Sequence, residues 1–132
     1  MNGRNFARWG LALFYALAGA LHLILPNPFV SIVPRWVPAP ALVVALTGVA
    51  ELAGAAGLLQ ARSPTLRRAA GWGLAVYALC VWPANFNHML IDLARPDHGL
   101  GLAYHIPRLA AQPLLIWLAL WGSGAIPPSE RR

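Results

Sequence analysis

Four apolar stretches divide the chain, separated by short segments in which Pro, Gly, Ser and Arg gather. They run from about Trp9 to Leu25, Ala41 to Leu59, Ala69 to Ile91 and Tyr104 to Trp121. Each approaches the roughly 20 residues with which a helix, rising about 1.5 Å per residue, crosses a hydrocarbon core. The first and last are at the short end, which predicts a thin local bilayer or extended helix ends. The segments are rich in Ala and Leu and lack period-2 alternation, so strands are not expected. The pattern predicts an all-α fold: one integral membrane four-helix bundle spanning 1–132.

Composition supports lipid as the solvent. Of 132 residues, 58% are hydrophobic and 11% charged, whereas a soluble domain carries about a quarter charged residues. So short a chain has too little interior to hide that excess in water. An ordinary soluble enzyme domain and a disordered chain are both excluded. The first stretch follows Arg4 and Arg8 as a signal peptide would. However, Asn27, Pro28 and Phe29 make a poor small-residue cleavage site, so a retained helix is expected.

Charge adds an orientation. All ten basic residues are arginine, and the net charge is +6. No basic patch interleaves with polar surface, so nucleic acid is not an expected partner. With four spans, Arg4, Arg8, Arg62, Arg67, Arg68, Arg131 and Arg132 fall on one side, and Arg35, Arg95 and Arg108 on the other. Positive-inside bias then predicts cytoplasmic N- and C-termini in a bacterial-type inner membrane. Trp9 and Trp121 would mark the inner interface and Trp36 the outer one. The first outer loop, PNPFVSIVPRWVPAP, holds five prolines and cannot be one helix. It is expected on the membrane surface or over the bundle mouth.

The candidate chemistry lies in polar groups placed where lipid should be, because an ionisable side chain at bilayer depth is costly unless paired or hydrated. Glu51 is mid-span among small residues that permit close helix contact. His22 ends the first span. Asn85 and His88 share a helix face beyond Pro83, and Arg108 opens the fourth span. The predicted ligand-binding set is His22, Glu51, Asn85, His88 and Arg108, around one outward-facing polar pocket. The alternative is structural: a Glu51–Arg108 ion pair, with Asn85 bonded to the backbone that Pro83 breaks. No catalytic residue is assigned. His22, His88 and His105 show no H-x-x-x-H or E-x-x-H spacing, so no metal site is expected. Cys80, the single cysteine, excludes an intrachain disulfide and is expected to be a buried packing residue. Gly10, Gly19, Gly71 and Gly73 are expected at helix contacts.

The segments GALHLILPNPF, IVPRWVPAP, LTGVAELAGAAGLL, VWPANFNHML and IPRLAAQPLLIWLALW occur in this order along the chain. In these the sequence resembles the DoxX-like family of small four-span membrane proteins, over nearly its whole length. The resemblance implies association with membrane redox systems, quinone-linked sulfur-compound oxidation and thiol or detoxification enzymes among them. Positions matching the family's motifs are His22, Pro34, Pro38, Glu51, Pro83, Asn85 and Arg108.

Two functions are weighed. In the first, the chain is a redox-associated subunit whose pocket holds a quinone-like or other lipophilic ligand. Quinone is then the candidate cofactor and no covalently bound group is expected. A membrane or periplasmic redox protein, or a second copy of the chain, would be its partner. In the second, it is a non-catalytic scaffold that docks a partner enzyme. Transport is a third reading, weakened by the small number of spans.

Overall fold

The computed structural model describes residues 2–127, so the predicted inner-side arginines Arg131 and Arg132 lie outside the described residues. The described residues form five helices and no strand: α1 (Gly3–Ile24), α2 (Asn27–Val30), α3 (Pro40–Leu59), α4 (Pro64–Leu93) and α5 (Leu102–Ser123). Three of them, α1, α3 and α4, are long and apolar enough to cross a membrane. α5 matches α1 in length, but His105, Arg108 and Gln112 interrupt its apolar run.

Every long helix exceeds its apolar stretch, for local reasons. α1 begins six residues before Trp9 because the Asn2 side chain accepts the Asn5 N–H and caps the first turn. α4 begins before Ala69 because Ser63 caps the Leu66 N–H and Pro64 occupies the first helical position. α5 ends at Gly124, whose φ of 82° suits a helix stop. The Pro-rich connection forms a single turn, α2, followed by further turns.

The four long helices pack in a closed ring, α1 on α3 and α5, and α4 on α3 and α5. α1 and α3 approach closely: a Cβ built on Gly19 would lie 2.7 Å from the Gly48 carbonyl oxygen. Gly71 likewise leaves no room for a Cβ beside Ser123. Gly10 and Gly73 face open space, so these two make none of the contacts expected of them. The start of α1 meets the end of α5, where Arg4 lies over Trp121 and donates to the Ile126 carbonyl at 3.2 Å. Toward this end lies the tight core of Leu11, Ala12, Leu58, Leu74 and Ala119. The opposite end is looser and more polar. Large apolar side chains such as Leu13, Leu17, Leu46, Val76 and Leu114 point outward and are exposed.

One proline inside a helix is compensated across the ring. Pro113 has no N–H for the Leu109 carbonyl, and the Trp82 indole N–H from α4 donates to that oxygen at 3.1 Å. Beside the Pro83 break, the Gln112 amide donates to the Ala78 carbonyl at 2.8 Å. Asn85 makes no such bond, and Gln112 reaches the carbonyl one residue before Leu79, whose oxygen is the one that Pro83 leaves without its helical donor.

Candidate functional site

A cavity of about 420 Å³ opens at the loose end of the ring. Its volume lies in the range of small-molecule sites, about 300–1,000 Å³. Its walls come from α1, α3, α4, α5 and the Pro-rich connection, with Phe14, Phe29, Ile32, Val37 and Leu115 among the apolar residues. The connection folds over the mouth because the Asn87 amide of α4 donates to the Ile32 carbonyl at 2.8 Å. His22, Glu51, Asn85 and Arg108 all line this cavity, while His88 stands behind Arg108.

The polar groups form two clusters. In the first, Glu51 is 3% exposed on α3. The Tyr77 hydroxyl of α4 donates to its Oε1 at 2.6 Å. His22 Nδ1 lies 2.8 Å from Oε2 but also 2.7 Å from the Ala18 carbonyl. The ring N–H is aligned with the carbonyl, so the contact with Glu51 is proximity without an aligned bond. Oε2 therefore stays buried with no hydrogen-bond donor. Such a group costs about 1–3 kcal/mol when nothing fills it. Glu51 bonds Tyr77 of α4 and touches His22 of α1, and no Glu51–Arg108 ion pair forms among the described residues.

In the second cluster, Asp92 is the hub. Its Oδ2 accepts the Leu100 N–H at 3.0 Å and lies 2.9 Å from His105 Nε2 and 3.5 Å from His88 Nε2. A Cβ at Gly99, where φ is +52°, would collide with this carboxyl, so the loop wraps tightly around it. Arg108 donates from its terminal nitrogen to His88 Nδ1 at 2.6 Å, and its guanidinium lies over the Tyr104 ring. In the exposed loop nearby, the Gly99 N–H and then the Arg95 charge hold the Asp97 carboxyl below the usual aspartate range.

Ligand-type atoms of His88, Asp92 and His105 all lie within 4.8 Å of one another. This is the only such trio among the described residues. The donor pattern fits hydrogen bonding better than a metal. Guanidinium only donates, so His88 Nδ1 accepts and its Nε2 carries the proton. A metal on Nε2 would require the reverse, with Nδ1–H facing an acceptor. His105 Nε2 likewise faces the Asp92 carboxylate, and its Nδ1 is buried with no hydrogen-bond partner.

Residue reasoning missed Tyr77, Asp92 and Gln112 and left His105 outside the set. Asp92 was findable, since it follows His88 by one helical turn. Tyr77 and Gln112 carry no comparable signal, because one buried tyrosine or glutamine in an apolar run has many uses. Cys80 is exposed and sits at the cavity wall, which corrects the expectation of a buried packing thiol.

The protein is thus all-helical, with membrane-compatible apolar helices and a polar-ended internal cavity. The model of a family described as a domain of unknown function (DUF8561) matches residues 11–123, and the chain belongs to that family. No curated protein and no solved structure matches the chain.

Proposed function

We propose that this chain is a membrane-embedded four-helix bundle with cytoplasmic termini, and that its cavity binds a quinone-like lipophile as part of a membrane redox system. The carrying observation is a mostly apolar cavity in which a few polar groups converge, the buried Glu51 carboxyl and the remaining donors of Arg108 among them. Few convergent polar groups on apolar walls are what a ring with polar oxygens requires. Arg108 would donate to a ring carbonyl, and Glu51 would exchange the proton of a ring hydroxyl.

The sequence holds no haem, flavin or iron–sulfur motif, so electrons for a bound quinone would come from a partner subunit. The resemblance of the five ordered segments to DoxX-like proteins supports the redox setting. The apolar outward surfaces and the segregated arginines support the membrane and its orientation.

Purified protein melted with and without a short-tailed ubiquinone tests this reading. Stabilisation of the native protein is expected, reduced in both Glu51→Gln and Arg108→Ala. Identical, negligible shifts in all three proteins would overturn it.

A further inference from the structure

Arg108 is a cation in a largely apolar cavity, and the described residues give it no carboxylate within ion-pair distance. Of its five N–H donors, one is filled, by the His88 nitrogen. The guanidinium lies over the Tyr104 ring, its Cζ 5.7 Å from the centroid. The two nearby carboxylates are engaged elsewhere. Asp92 stands behind His88, and its Oδ2 is held by the Leu100 N–H and His105. Glu51 belongs to the Tyr77 and His22 cluster. A planar fork with unfilled donors is matched best by a carboxylate, which accepts two parallel charge-assisted bonds. A neutral carbonyl fills one donor and brings no counter-charge of its own.

We infer that this cavity also takes a second class of lipophile, an amphiphile with an ionised carboxylate head, held by the Arg108 fork with its hydrocarbon against the apolar walls. This rests on the cavity being a lipophile site and adds a charged head group to the neutral ring proposed above. Asp92 and His88 brace the fork from behind, so the carboxylate meets a guanidinium already fixed in place.

The test compares palmitate, methyl palmitate and a short-tailed ubiquinone on the full chain in phosphatidylcholine nanodiscs, by competition with labelled palmitate and by direct titration of each. Acid and ester share a tail and differ in head charge. Palmitate is expected to bind about tenfold tighter than its ester, the scale of one charge-assisted contact. Arg108→Gln is expected to erase that ratio and Arg108→Lys to keep part of it. The wild-type ratio alone decides the matter if the variants fail to fold. Equal affinity of acid and ester, with the quinone still binding, overturns the carboxylate head and leaves the lipophile cavity standing. Failure of all three to bind overturns both.

Discussion

Glu51 illustrates how far single residues can be read. An acid amid Ala and Gly in an apolar run is conspicuous, and the structure buries it against partners from two other helices. Its partners were less legible. His22 was visible as an ionisable group at membrane depth, but Tyr77 was not, because a tyrosine is equally at home in a core or at an interface. Tyr77 carries a specific consequence. Tyr77→Phe keeps the ring and removes the donor, leaving Glu51 Oε1 as a second unfilled buried acceptor. The cost is about 1–3 kcal/mol, expected as a lower melting temperature in detergent; an unchanged melt would show that the hydroxyl contributes nothing.

Helix existence and order were legible from apolar runs, but helix ends were not. Those ends depend on Asn2, Ser63 and Gly124, cap residues outside the hydrophobic pattern. Inter-helix contacts were legible only in part, because a glycine in a helix does not announce which way it faces. Gly19 lies against the backbone of α3 and Gly10 lies against nothing. Gly19→Val should therefore lower stability by about 1–3 kcal/mol through overpacking, while Gly10→Ala, free of any clash, should hold or slightly raise the melt. Equal melts for the two variants would contradict the α1–α3 packing. The proline repair shows the same limit: Trp82 completes a carbonyl freed by Pro113, a pairing visible only once α4 and α5 are side by side.

At the scale of the molecule, the sequence pattern carried the helical class and the separation of charge between the two ends. It did not reveal that the polar residues split into two clusters, because that depends on helix rotation rather than on spacing along the chain. The proposed orientation is open to a direct check. In a Cys80→Ala background, a membrane-impermeant maleimide applied to intact cells should label H98C, in the loop after α4, and should label A61C, in the loop after α3, only after lysis. The opposite pattern would invert the topology.

The Phe29 ring stacks on His22 with centroids 3.9 Å apart. His22 in turn touches Glu51. Phe29 belongs to the Pro-rich flap that closes the cavity mouth. Lifting the flap to admit a molecule therefore strips the imidazole of its cover and exposes the carboxylate's neighbour to whatever enters. The cover of the cavity mouth and the packing around the buried carboxylate are therefore one structure: a change at Phe29 reaches Glu51 through a single ring.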